Sequence, residues 1–296
     1  MKEKRSVSRR AIATVAAAIV CLSCSGGAFA EEDCAASSDE CVAVGSWSLS
    51  VALGAGVRTN PLVHGQDIPL VVVPQFSYYG KRFFIDNLDP GVTVFEGDSN
   101  TLSLIASPGY DRVFFYRSDL QNIIIGATTA GVGSGFNVSD TFPQKTAGGS
   151  SRELPDRARK VTYLAGPEWT FKHAGISGQL DFLHEITGRN HGDEIRAALG
   201  IPLGTALGGS WNANVGVTWK SAAIVNYYYG YPGLYYPGPA LNPFAKIGYS
   251  RPLSRKWRFD AFVHEERLGS AIFASPIVGR RYVTTAFLGA TYVFHK

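Results

Sequence analysis

Cysteine and methionine are scarce, with four and one in 296 residues. Two of the cysteines, Cys21 and Cys24, fall within the first thirty positions, leaving Cys34 and Cys41. That excludes a disulfide-dense scaffold and a four-cysteine zinc site. Past Leu22 no run approaches about 18 consecutive apolar residues, which excludes a transmembrane helix. A surplus of one charge is also missing beyond the N-terminus. Five of the 28 Lys and Arg and one of the 24 Asp and Glu lie in the first thirty residues, so the remainder carries 23 of each. The formal charge of +4 therefore belongs to the leader and not to a surface for nucleic acid.

What is present begins with "MKEKRSVSRRAIATVAAAIVCLSCSGGAFAEE". Lys2, Lys4, Arg5, Arg9 and Arg10 precede an apolar run from Ala11 to Leu22, and Ala28-Phe29-Ala30 follows. This pattern predicts a signal peptide over 1–30, cleaved after Ala30. Residues 31–45 then form a periplasmic N-terminal segment in which Cys34 and Cys41, spaced C-x6-C, are a candidate disulfide; two separate thiols are the alternative. Residues 46–296 are left for one large β domain.

Strict alternation marks that domain. In "SWSLSVALGAGVR" one parity holds Trp47, Leu49, Val51, Leu53, Ala55 and Val57, and the other holds Ser, Ala and Gly. Successive strand side chains point to opposite faces, so the segment has one greasy and one small, weakly polar surface. The pattern recurs in "SWNANVGVTWKS", "KVTYLAGPEWTF", "GISGQLDFLHEIT", "KWRFDAFVHEE" and "RYVTTAFLGATYVF". It predicts twelve strands, near 47–57, 68–79, 82–95, 100–108, 113–128, 160–171, 175–186, 193–203, 211–225, 243–250, 257–267 and 282–294. Short and long connectors largely alternate, as in an antiparallel up-and-down barrel with small turns on one rim.

Eleven residues at about 3.4 Å, tilted by about 45°, project to about 26 Å, close to the apolar band of an outer membrane. In that direction of travel Trp47, Trp169, Trp211, Trp257 and Phe294 all fall at the short-turn rim, where they are expected as membrane-interface aromatics. "NYYYGYPGLYY" is expected to supply a second girdle at the other rim. A soluble sandwich would turn the greasy parity inward, and its wet face would be rich in Lys, Glu and Thr instead of Ser, Gly and Asn. The greasy row is therefore expected to face lipid. The lumen would hold Glu168, Gln179, Asp181, Glu185, Arg196, Lys220, Lys246, Arg258 and Asp260, cross-linked because buried charges need partners.

No catalytic constellation stands out, and neither a cofactor site nor a metal site is expected. "HEITG" at His184 and "HEERL" at His264 begin like a zinc-protease signature but lack the second histidine, and both sit in strands. "GVGSGF", from Gly131, precedes no helix and no Lys-Ser/Thr pair, so it reads as loop. The region 129–159 reads as a long outer loop.

Several stretches together resemble one family: "PQFSYYGKRFFID", "DFLHEITGRNHGDEIRAALGIPL", "WNANVGVTWKSAAIVNYYYG", "YYPGPALNPF" and "RLGSAIFASPIVGRRYVTTAFLGATYVF". The tyrosines between Asn226 and Gly230 and the pair Ser275-Pro276 are the most specific pieces. The family is MipA/OmpV, the MltA-interacting-protein-like outer-membrane proteins of Gram-negative bacteria. The resemblance implies an outer-membrane barrel that touches lipid. It also implies a non-enzymatic scaffold joining a lytic transglycosylase to a penicillin-binding protein during peptidoglycan remodelling. A small-solute channel, an adhesin and a lipid-modifying enzyme are the alternatives.

Overall fold

The computed structural model describes residues 45–116 and 159–295. Ala30, Cys34, Cys41 and all but the last residue of the 129–159 loop lie outside the described residues. Twelve strands stand among the described residues: β1 Ser46–Arg58, β2 Ile68–Tyr79, β3 Phe83–Asp86, β4 Asp89–Glu96, β5 Asn100–Pro108, β6 Tyr163–His173, β7 Ile176–Glu185, β8 Asp193–Ala206, β9 Gly209–Lys220, β10 Ala240–Pro252, β11 Trp257–Arg267 and β12 Tyr282–His295. Each pairs antiparallel with its sequence neighbour, and β12 returns to β1 to close the barrel. Closure removes the free edges that an open sheet must protect.

The count of twelve agrees with the sequence, although three of the expected strands differ. The expected strand 82–95 is two, β3 and β4, because Asn87 takes a left-handed φ of 55° and turns the chain. Asn tolerates that conformation, and its side chain secures the turn: Nδ2 donates to Asp86 Oδ1 at 2.8 Å and Oδ1 accepts from Phe76 N at 3.2 Å. The expected strand 113–128 begins instead in a 3-10 turn, Tyr110–Phe114, and residues beyond 116 are not described. The expected strand 211–225 stops at Lys220. Helix α1, Ala222–Tyr229, follows, since a short apolar run without alternation suits a buried helix as well as a strand.

Alternation decides inside from outside. On the greasy parity Leu53 is 50% exposed, Phe182 49% and Leu288 57%. On the other, Ser50, Ala52, Asp181, Asp260 and Thr291 are buried. Trp47, Trp211 and Trp257 stand on the outer face, paired in register with Tyr78, Tyr249 and Tyr292, and do not meet in a centre. The outer wall is thus an apolar band around a lumen lined largely by small and polar side chains.

Two rims result. One carries short turns, two of them with only two residues: Ala174-Gly175, with φ of 50° and 79°, and Leu207-Gly208, with 58° and 75°. Positive φ at both central positions matches the twist of a β-hairpin. The other rim carries the long connections, including α1 and a short helix α2, Ser270–Phe273. No helix among the described residues is long and apolar enough to cross a membrane.

Closure between β1 and β12 brings backbones close. Gly54 and Gly289 are register partners, and the Phe287 ring lies over both. Phe287 packs with Ala52, Ile68, Leu70 and Val73, and with Phe262, into a small apolar cluster inside the barrel beside the seam.

Candidate functional site

The described parts of the long connections fold into the mouth of the barrel. A buried cluster there joins Leu62, Val113, Phe114, Ile224, Val225, Tyr227, Tyr228, Tyr229, Leu268, Ile272 and Ile277 from four connections with Ile105, Leu164, Leu183 and Val283 from the strands. Burial of large apolar side chains is the dominant favourable term in such packing. The lumen is stoppered at the long-connection rim.

The expected tyrosine girdle is therefore corrected. Tyr227, Tyr228 and Tyr229 are buried inside the mouth, while Leu234 and Tyr236 further along are exposed. Buried tyrosine needs a partner for its hydroxyl. Tyr229 donates to Asp111 Oδ1 at 2.8 Å, Tyr228 shares a 2.9 Å hydrogen bond with Thr162 Oγ1, and Tyr227 Oη accepts from Lys160 N at 2.9 Å. Burial, reinforced by the Asp111 carboxylate, raises the Tyr229 pKa well above its ordinary value near 10; burial also raises that of Tyr228. Tyr229 is thus a permanent donor.

Asp111 ties the stopper to the wall. Its Oδ2 accepts from Lys220 Nζ at 2.5 Å, and Lys220 also lies 4.0 Å from Glu194 Oε2. Glu194 pairs with Arg196 at 2.6 Å, and Arg196 Nη1 donates to Ser107 Oγ at 3.0 Å. Around this chain of charges the stopper is stitched by side chain to backbone. Asn60 Nδ2 donates to Phe114 O at 2.9 Å, Arg159 Nε to Tyr228 O at 2.8 Å, and Ser275 Oγ to Tyr229 O at 2.6 Å.

Below the stopper the lumen is polar. Gln179 Nε2 donates to Glu168 Oε2 at 2.8 Å and to Asp181 Oδ1 at 3.0 Å. Arg258 pairs with Asp260 at 2.9 Å, and Thr291 Oγ1 donates to the same Asp260 oxygen at 2.6 Å. Lys246 Nζ lies 4.8 Å from the centre of the Phe262 ring. Asp89 Oδ1, Ser177 Oγ and Asn214 Oδ1 are buried without a hydrogen-bond partner among the described residues, a state tolerated where water reaches.

All nine expected lumen residues face inward, and most are cross-linked. Glu185 does different work. It ends β7, and its carboxylate accepts from the backbone N–H of Thr187 at 2.7 Å, Arg189 at 2.9 Å, Asn190 at 3.0 Å and His191 at 3.0 Å, and from the Thr187 hydroxyl, holding the 186–192 turn. His184, the preceding residue, points outward and pairs with Asp193 at 2.7 Å. A histidine and a glutamate on opposite faces of a strand cannot share a zinc ion. His264 faces the lumen against Phe244, with ring centres 5.5 Å apart.

The five expected rim aromatics, Trp47, Trp169, Trp211, Trp257 and Phe294, lie at the short-turn rim on the outer face. Two of the tryptophans pack on tyrosines: Trp211 on Tyr249 with centres 4.8 Å apart, and Trp257 on Tyr292 at 5.0 Å. Sequence reasoning missed Asp111, Glu194 and Arg159.

These features define a class: a closed twelve-stranded antiparallel barrel with an apolar outer wall and a mouth packed at one end by its own connections. The chain belongs to the MipA family, described as MltA-interacting protein MipA, which it matches over residues 53–294. No curated protein matches it. Solved structures that align with it include two outer-membrane barrels. OmpT, an outer membrane protein of Vibrio cholerae, is 8% identical over 84% of this chain and 97% of its own, with a TM-score of 0.33. An anion-selective porin from Comamonas acidovorans is 10% identical over 84% and 99%, with a TM-score of 0.32.

Proposed function

We propose that the protein is an outer-membrane β-barrel that works as a non-enzymatic scaffold for peptidoglycan remodelling. The observation that carries the membrane reading is the apolar outer band. Leu53, Val94, Leu104, Phe182, Val263 and Leu288 are exposed around it. A soluble monomer rarely leaves a contiguous apolar patch beyond a few hundred Å² in water, so hydrocarbon is the medium that suits this wall. Strands of 10 to 14 residues from β6 onward match the thickness of such a membrane.

The scaffold reading rests on two supports. The family's description names a partner, MltA, and the family resemblance makes that partner a lytic transglycosylase, with a penicillin-binding protein as the second. The stopper argues in the same direction, because a lumen sealed by Asp111, Lys220 and three buried tyrosines is ill suited to transport. Co-purification from detergent extracts tests the reading: recovery of a lytic transglycosylase with the barrel is expected, and its absence alongside working controls removes the scaffold role. A small-solute channel is the second reading, favoured by the polar lower lumen. Steady current in planar bilayers would support the channel against the sealed scaffold.

A further inference from the structure

The cations inside the barrel are not all provided with partners. Arg196, Lys220 and Arg258 each lie against a carboxylate, 2.6 Å from Glu194, 2.5 Å from Asp111 and 2.9 Å from Asp260. Arg58 and Lys246 have neither an ion pair nor a hydrogen bond with a described residue. Arg58 is only 7% exposed, and its Nε is buried without a partner. Each of the two instead lies over a ring, Arg58 Cζ 5.1 Å from the centre of Phe114 and Lys246 Nζ 4.8 Å from that of Phe262. The carboxylates whose charge reaches them are engaged elsewhere: Glu266 with Asn242, Asp111 with Lys220 and Asp260 with Arg258. A charge withdrawn from water without a counter-charge is costly, so these two positions are where an external anion gains most.

The strand register sets both cations on one row. Asn214 on β9, Lys246 on β10, His264 on β11, Thr285 on β12 and Arg58 on β1 are successive cross-strand partners, and the row runs over the closing seam. Neighbouring strands are about 4.8 Å apart, so three steps separate the Lys246 and Arg58 backbones by about 14 Å along the wall. Two long side chains converging inside a closed barrel can bridge that span onto one ligand. Between them stands the His264 ring, on which the charges of both Arg58 and Lys246 act. Asn214, whose Oδ1 has no partner among the described residues, adds an amide able to donate through Nδ2. On the short-turn side the row rests on Phe262 and Phe287, ring centres 6.1 Å apart, a floor that lowers the local dielectric and strengthens any charge contact above it.

We propose that Arg58, Lys246 and His264 form an anion-binding site inside the barrel, beside the β1–β12 seam, that takes one small oxyanion bearing a carboxylate or phosphate group. The Thr285 hydroxyl and the Asn214 amide are its neutral donors. The ligand supplies the counter-charge that the chain withholds from this row and ties β1 to β10 and β11 across the seam. The site is independent of whether the barrel serves as a scaffold or as a channel.

Calorimetric titration and thermal unfolding of the full chain in a maltoside detergent, which carries neither phosphate nor carboxylate, test this. Inorganic phosphate and benzoate are the probes, and chloride at matched ionic strength is the reference. Saturable binding of a single equivalent and a raised unfolding midpoint are expected with at least one probe. Tighter phosphate assigns a phosphate ligand, and tighter benzoate a carboxylate whose apolar body lies on the phenylalanine floor. Lys246→Met should weaken binding by about tenfold or more, since a charge-assisted contact is lost. In low-salt buffer without either probe the same variant should unfold at a higher temperature than the wild type, because an uncompensated charge has gone. Lys246→Arg keeps the charge and should keep the binding. No saturable binding of either probe, equal stabilisation by all three salts, or binding unchanged in Lys246→Met overturns the proposal. A Lys246→Met barrel less stable than the wild type without probe overturns it too, since Lys246 would then be paired within the protein.

Discussion

Lys220 and Asp111, 109 positions apart in the chain, meet inside the barrel with Nζ 2.5 Å from Oδ2 and both side chains sealed from solvent. Removing one partner of a buried pair strands the other charge, at a cost of about 3–5 kcal/mol, whereas replacing both with apolar groups is far milder. Lys220→Met should therefore destabilise the stopper strongly and give intermittent current in bilayers. Lys220→Met with Asp111→Leu should recover most of the loss. Thermal unfolding of the three proteins measures the non-additivity.

Tyr229 gives the stopper a pH dependence on the alkaline side only. Its pKa is raised in the folded protein, so its contribution is complete below the unfolded value near 10 and declines as pH rises above that toward the folded value. Phenolate absorbance should show Tyr229 ionising only when the mouth opens, and Tyr229→Phe should remove that late component.

The seam tolerates no side chain at position 289. A Cβ there would stand 2.5 Å from Leu53 O and 2.7 Å from Phe287 Cζ. Because the first neighbour is backbone, Gly289→Ala should cost about 1–3 kcal/mol through overpacking. A lowered midpoint in urea unfolding checks it.

Leu207 is the opposite case. It sits at φ 58° in a two-residue turn with its side chain in solvent, a conformation that costs a branched residue about 1–2 kcal/mol. Leu207→Gly should stabilise the β8–β9 hairpin by about 1 kcal/mol, seen as slower unfolding.

The outer wall separates bilayer from water directly. Leu288→Lys should cost about 2–4 kcal/mol if Leu288 lies near the bilayer midplane. In a water-soluble protein such a surface change stays within about 0.5 kcal/mol. Folding yields into phosphocholine bilayers, wild type against variant, distinguish the two.

The wall was legible because a period of two leaves no ambiguity over ten residues: Leu53 and Ala52 went to opposite faces on alternation alone. The nine lumen residues followed from the same parity. The stopper did not, for two reasons. Asp111 finds Lys220 and Tyr229 across more than a hundred positions, and no local spacing encodes such a meeting. Tyrosine suits a wet boundary and a hydrogen-bonded core equally well. Tyr227, Tyr228 and Tyr229 therefore looked like a girdle until the fold placed partners around their hydroxyls. The division of 82–95 at Asn87 was hidden by "FFIDNLDPGVTVF", where alternation continues on both sides of the bend.

The stopper also sets a schedule. Its ties join Asn60 to Phe114, Asp111 to Tyr229 and Ser275 to Tyr229, while Thr284 N donates to Thr59 Oγ1 across 225 positions. Because the last two of these ties involve the β11–β12 connection and β12 itself, the seal is not complete until β12 has met β1. The last hairpin therefore both closes the wall and finishes the packing of the mouth.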